Sequence, residues 1–229
     1  MNKLILWDID GTLLYGGGIA GEIMRSAMEQ IYGAPFDQER ISYAGKTDQQ
    51  IILETFPHQS ETALLGQLEQ FTTAYVQEFH QRTPDFLSRG KVLEGVLAAL
   101  EQLSTQPVIQ SVLTGNIQEI AHLKLELMDL KKYLDLRVGA FGSDHPQRAQ
   151  LVPMALARAE QHYGRQFAQQ NAVVVGDTPN DIACGKASGV RTVAVASGPF
   201  SVEQLQSHNP DAVLPNLTDT DAVLKAILR

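Results

Sequence analysis

Asp8 and Asp10 stand one residue apart where the apolar run Leu4-Ile5-Leu6-Trp7 gives way to Gly11-Thr12. Such a run predicts a buried strand. Strand side chains repeat every two residues, so both carboxylates face the same way at its end. Like charges this close are costly unless one holds a proton or both share a cation. Either arrangement suits phosphoryl chemistry, in which one carboxylate attacks phosphorus while a partly protonated neighbour acts on the leaving oxygen. The plainer alternative is an Asp-Gly turn with no chemistry attached. Two further polar residues follow apolar runs in the same way: Thr114 after the run beginning at Val108, and Asp177 after Ala172-Val173-Val174-Val175-Gly176.

The elements that must position these residues follow from apolar spacing. From 19 to 86 the spacing is helical throughout. Ile23, Ala27 and Ile31 recur at intervals of four, and Leu64, Leu68, Phe71, Tyr75 and Phe79 form a second stripe. Beyond Gly90 strands and helices alternate: a helix over 93–104, a strand over 108–113, a helix opened by Thr114-Gly115-Asn116, a short strand over 136–141, a helix over 148–163, a strand over 172–175, a helix ending at Ala187 and a strand over 191–195. Strands this apolar are buried on both faces, as in a parallel sheet covered by helices. The expected fold is therefore α/β, a doubly wound Rossmann-like parallel sheet with an inserted helical cap. Residues 1–15 and 87–229 form the core and 16–86 the cap. Gly16-Gly17-Gly18 reads as a hinge, because no Lys-Ser/Thr pair follows to make a phosphate loop. In open parallel sheets reactive groups gather beyond the carboxyl ends of the strands, which draws Asp8, Asp10, Thr114 and Asp177 into one site.

Composition narrows the partners. A net charge of −8 and a pI near 5.2 argue against a nucleic-acid-coating surface, since that binding draws on Lys and Arg. No apolar run approaches the ~20 residues of a membrane span. Asp8 interrupts the N-terminal apolar stretch far short of a signal peptide's core. The single cysteine, Cys184, has no partner for an internal disulfide. It reads as a packed helix residue, and a cytoplasmic setting is expected. None of the six histidines shows metal-ligand spacing.

The ordered motifs Asp8-Ile9-Asp10-Gly11-Thr12, Leu113-Thr114-Gly115-Asn116, a basic residue, and Gly176-Asp177-Thr178-Pro179-Asn180-Asp181 resemble those of the haloacid dehalogenase superfamily of phosphohydrolases. A helical insertion directly after the first motif is similar to the phosphoglycolate phosphatase and β-phosphoglucomutase branch. The resemblance implies that Asp8 is a nucleophile forming an aspartyl phosphate and that Asp10 is general acid and then base. It also implies Mg²⁺ held by Asp8, the main-chain oxygen of Asp10 and Asp177, with Asp181 reaching the metal's waters. Thr114, Gly115 and Asn116 would bind phosphate oxygens. The family's Lys-Pro pattern is absent. Arg148, closing Ser143-Asp144-His145-Pro146-Gln147-Arg148, is taken as the cation that neutralises Asp8 and the phosphoryl group. Its rival Lys124 reads as a solvated charge on the helix after Thr114. Lys46, in Tyr43-Ala44-Gly45-Lys46-Thr47-Asp48, falls where related enzymes place a substrate-sensing loop.

The expected activity is a Mg²⁺-dependent phosphatase, acting as monomer or homodimer on a small phosphorylated metabolite of phosphoglycolate type. A phosphosugar mutase of β-phosphoglucomutase type is the nearest alternative. A signalling module whose aspartyl phosphate persists is a further one, and the long helical insertion argues for turnover instead.

Overall fold

In the computed structural model the described residues are 3–34 and 41–229; the parts of the expected core and cap at 1–2 and 35–40 lie outside them. The chain opens with β1 (Lys3–Trp7), makes a short β2 (Leu14–Tyr15) and enters five helices: α1 (Ile19–Tyr32), α2 (Asp48–Thr55), α3 (Glu61–Leu65), α4 (Leu68–Gln81) and α5 (Thr83–Arg89). It returns through β3 (Lys91–Val92) to α6 (Val96–Ser104), β4 (Val108–Val112), α7 (Gln118–Leu127), α8 (Leu151–Tyr163), β5 (Ala172–Gly176), α9 (Pro179–Ala187) and β6 (Arg191–Val195). Past Val195 come α10 (Val202–Ser207), β7 (Ala212–Leu214) and α11 (Thr220–Leu228), of which α10 and β7 are too short for apolar periodicity to announce.

The main sheet has the order β4-β1-β5-β6-β7 with every pair parallel. Successive connections from β1 run first to β4 on one side and then to β5 on the other, so the topological switch falls at β1 and opens a crevice beyond Trp7. The outgoing and returning strands of the helical segment, β2 and β3, pair antiparallel with Leu14 opposite Val92. The insertion therefore enters and leaves through one paired stem. Its helices close a shared core: Ile23, Ala27, Phe71, Tyr75 and Phe79 are buried in the cluster that also holds Ile5 and Trp7. The rings of Phe71, Tyr75, Phe79 and Phe86 pack in tilted succession with centroids 5.1–6.4 Å apart.

Three expected elements differ. The strand expected over 136–141 is a 3₁₀ turn at Leu136–Val138, after which Ala140 makes one parallel bridge to Leu113. Asp135 accepts hydrogen bonds from the Arg137 N–H and guanidinium, a local fold-back that competes with extended pairing. The helix expected from Gly115 begins only at Gln118, so Thr114 is not its cap. Three backbone groups before it are committed elsewhere: the Thr114 N–H to the Ala140 carbonyl, and the Gly115 and Asn116 carbonyls to the N–H groups of Asp48 and Gly142. The helix expected over 93–104 begins at Val96, after Gly95 at φ +82°.

Candidate active site

Each strand end delivers one group. Asp8 follows β1, and its N–H is held by the Val175 carbonyl of the neighbouring strand at 2.8 Å. Thr114 follows β4 and Asp177 follows β5. Gly11 turns the chain at φ +87°, and a Cβ there would lie 2.4 Å from an Asp177 oxygen. Only glycine lets the first loop pass so close to that carboxylate. Thr12 Oγ1 then donates to Asp177 at 3.0 Å, tying the two loops together.

Asp181 arrives by a different route. Thr178-Pro179-Asn180-Asp181 forms a capping box at the start of α9: the Thr178 side chain accepts from the Asp181 N–H, while the Thr178 N–H and hydroxyl donate to Asp181 Oδ2. Its other oxygen is left to accept from Arg148 at 2.5 Å. The same Arg148 nitrogen donates to Asp8 Oδ1 at 2.7 Å and to the Leu113 carbonyl at 3.2 Å. Arg148 sits on a 3₁₀ turn just before α8 and is buried. It therefore occupies the place expected of the cation beside Asp8.

Asp8, Asp177 and Asp181 are all buried and present carboxylate oxygens within 4.8 Å of one another. Burial, with the charge of Asp181 next in size, lifts the Asp8 carboxyl to about 7 although Arg148 opposes the shift. Burial and then Asp8 lift Asp177 to about 8. Burial works against the Arg148 charge as well, but the carboxylates of Asp181 and Asp8 outweigh it and hold the guanidinium firmly protonated. One cation is thus set among three carboxylates, an excess of buried negative charge that protons or a further cation must offset. An all-oxygen donor set of this kind fits a hard divalent ion such as Mg²⁺.

Asp10 is held separately. Lys124 Nζ donates to both of its oxygens, at 2.8 and 2.7 Å, and to Asn116 Oδ1 at 2.7 Å. Asn116 Nδ2 donates to Asp10 at 2.7 Å and to Thr114 Oγ1 at 2.8 Å. The reading of Lys124 as a solvated charge is wrong: it is 2% exposed. A charge on an otherwise half-apolar helix looks solvated in sequence because the carboxylate that receives it lies 114 residues away. Both rivals for the site's cation are therefore present, Arg148 on Asp8 and Lys124 on Asp10. The Asp10 side chain lies outside the carboxylate trio.

The helical segment closes on this floor through the start of α2. Thr47 caps α2 and its hydroxyl donates to the Pro146 carbonyl at 2.6 Å. Asp48 donates its N–H to the Gly115 carbonyl at 2.7 Å and accepts from the Ile117 N–H at 2.8 Å. Gln49 Nε2 donates to the Gly142 carbonyl at 2.9 Å. A Cβ on Gly115 would lie 1.9 Å from the Lys46 carbonyl, so the absence of a side chain lets the two backbones meet. Asp48, which sequence reasoning passed over in favour of Lys46, is buried, and burial lifts its carboxyl to about 7. The available signal was its place directly after Gly45-Lys46-Thr47 at a helix start. Lys46 lines a cavity shared with Asp8, Asp10 and Asp48, with its ammonium on Glu54. Cys184 is a buried α9 residue whose thiol donates to the Arg148 carbonyl at 3.0 Å, and burial pushes it up to about 12.

The chain is similar to several known proteins. The chain is 24% identical to a pyrophosphatase, PpaX, of Bacillus pumilus, over 97% of this chain and 96% of that one. It is 23% identical to a phosphoglycolate phosphatase of Photorhabdus laumondii, over 95% of this chain and 90% of that one. A crystal structure of a hydrolase from Pseudomonas syringae superimposes with a TM-score of 0.70 at 18% identity, covering 99% of each chain. Among the described residues no helix is long and apolar enough to cross a membrane. Residues 5–195 match the haloacid dehalogenase-like hydrolases, and the chain belongs to that family.

Proposed function

We propose that the protein is a Mg²⁺-dependent phosphatase that hydrolyses the phosphate monoester of a small cytoplasmic metabolite through an aspartyl phosphate on Asp8. The observation that carries this reading is the division of the two first-loop carboxylates between separate cations: Asp8 on Arg148 beside Asp177 and Asp181, and Asp10 on Lys124 and Asn116. Two carboxylates in different surroundings can take different roles in one reaction.

In this mechanism an Asp8 oxygen attacks phosphorus and the bond to the ester oxygen breaks. Asp10 gives its proton to that departing oxygen. A water molecule then loses a proton to Asp10 and attacks the aspartyl phosphate, releasing inorganic phosphate and restoring Asp8 as a carboxylate. Asp8 and Asp177 with the main-chain oxygen of Asp10 would hold the Mg²⁺, which supplies charge neutralisation between an anionic attacker and an anionic ester. Asp181 keeps Arg148 in place from the capping box, and Arg148 faces the charge that spreads over the phosphoryl oxygens. Thr114, Gly115 and Asn116 offer the hydroxyl and N–H groups for a phosphate oxygen. The helical segment acts as the cap that excludes water until the covalent step is complete.

The relatives named phosphoglycolate phosphatase and pyrophosphatase support phosphate release as the outcome. Purified protein should release phosphate from p-nitrophenyl phosphate only with Mg²⁺, and Asp8→Asn should abolish the release. Undiminished activity in that variant would refute the mechanism.

A further inference from the structure

Resting on the phosphatase reading, we infer that the cavity between cap and catalytic floor takes a phosphate monoester whose alcohol part is uncharged and ring-sized. The cavity measures about 670 Å³, within the range of about 300–1,000 Å³ typical of pockets that enclose a whole drug-sized ligand. A two-carbon acid would leave most of it unfilled. Above the carboxylates its walls are Met24 from α1, Ile51 from α2, Tyr75 from α4, and Tyr43, Leu93 and Pro199 from loops. The Tyr75 hydroxyl is engaged by the Ala20 carbonyl at 3.2 Å, which leaves the ring as the surface it offers.

Charge points the same way. A substrate with a second anionic group, such as a carboxylate or a second phosphate, needs a cation beyond those that serve the transferred phosphoryl group. Among the described residues, Arg148 is engaged by Asp8 and Asp181, Lys124 by Asp10 and Asn116, and Lys46 by Glu54. Lys91 also lines the cavity, but as an exposed residue at the stem of the cap, where water screens its charge. Asp10 and Asp48 also line the cavity, so its inner end is already rich in carboxylates. An uncharged ring fills the apolar volume and asks for no further cation, and its contacts can be used to hold the ester in place for attack.

Gly21 gives a clean way to test this. It lines the cavity from α1, and a Cβ there would meet nothing within 4 Å. Gly21→Leu therefore puts a side chain into open space and improves helix propensity. Initial rates with Mg²⁺ would be compared for 1-naphthyl phosphate, phosphoglycolate and pyrophosphate, and the same three compounds titrated calorimetrically into Asp8→Asn. For the native enzyme, kcat/KM for 1-naphthyl phosphate should exceed both others by at least about tenfold, and Gly21→Leu should remove most of that advantage while changing phosphoglycolate by less than about twofold. Equal or better turnover of phosphoglycolate or pyrophosphate, or an equal loss for all three in Gly21→Leu, overturns the inference and leaves the phosphatase standing. No phosphate release from any compound, with Asp8→Asn still preferring the naphthyl ester, would sink the phosphatase reading and uphold the ligand class. No phosphate release from any compound, with no preference among the three in Asp8→Asn, overturns both.

Discussion

Stripping the divalent ion from the carboxylate cluster should make the protein less stable as pH rises. Burial and the Asp181 charge lift Asp8 from 3.8 to about 7, and Asp177 lies at about 8. In the unfolded chain both return to ordinary carboxylate values, so between about pH 4 and pH 8 the folded state binds more protons and stability falls with pH. Raising the Asp8 carboxyl from 3.8 to about 7 corresponds to about 4 kcal/mol. Protonating one carboxyl relieves the repulsion on its neighbour, so one group's contribution sets the size of the effect. A divalent ion competes with these protons and stabilises only the folded cluster. At about 2–4 °C per kcal/mol for a chain of this size, the EDTA-treated protein near pH 8 should melt about 10 °C below its Mg²⁺-loaded form. Near pH 5 the two should almost coincide. Scanning calorimetry with and without millimolar MgCl₂ reads the difference, in which other titrating groups cancel. Asp177→Asn should flatten its pH dependence. A Mg²⁺ effect of equal size at both pH values, or an EDTA form more stable near pH 8 than near pH 5, would refute the reasoning.

Lys124→Met removes the ammonium on Asp10 while keeping an unbranched four-atom stem. Steady-state kinetics should show kcat lower by about 10- to 100-fold with KM changed by less than about threefold. Because the Asp10 side chain is 41% exposed and can turn to water, denaturant titration should register only about 1–2 kcal/mol. Asp48→Ala leaves the Ile117 N–H without its acceptor, for a loss of about 1–3 kcal/mol in the same titration and faster amide exchange at Ile117. Gly115→Ala drives a methyl group against the Lys46 carbonyl. It should hold the cap off the core, with kcat/KM down by at least about tenfold and the far-ultraviolet spectrum unchanged.

The floor of the site was legible because parallel-sheet geometry concentrates information. Asp8, Thr114 and Asp177 each follow an apolar run, and the rule that reactive groups lie beyond strand ends is enough to bring them together. The helical segment was legible for a similar reason: Phe71, Tyr75 and Phe79 repeat at helical spacing and are buried as that spacing predicts. What local pattern does not carry is long-range pairing. Lys124 looks like any charge at the edge of an amphipathic helix until α7 packs beside the first loop. Asp48 looks like a residue of the first turn of a helix until its carboxylate meets the Ile117 N–H, 69 residues on. The turn at 136–138 was misread because Asp135 and Arg137 decide the backbone there, against the apolar alternation around them.

Covalent capture of the phosphoryl group by one particular carboxylate is the step on which the proposed reaction turns. Enzyme mixed with Mg²⁺ and p-nitrophenyl phosphate, acid-quenched within the first turnover and digested, should carry a phosphoryl group on the peptide containing Asp8, with none on that peptide in Asp8→Asn. A phosphoryl group found on any other residue, or full turnover with the Asp8 peptide never modified, would contradict it.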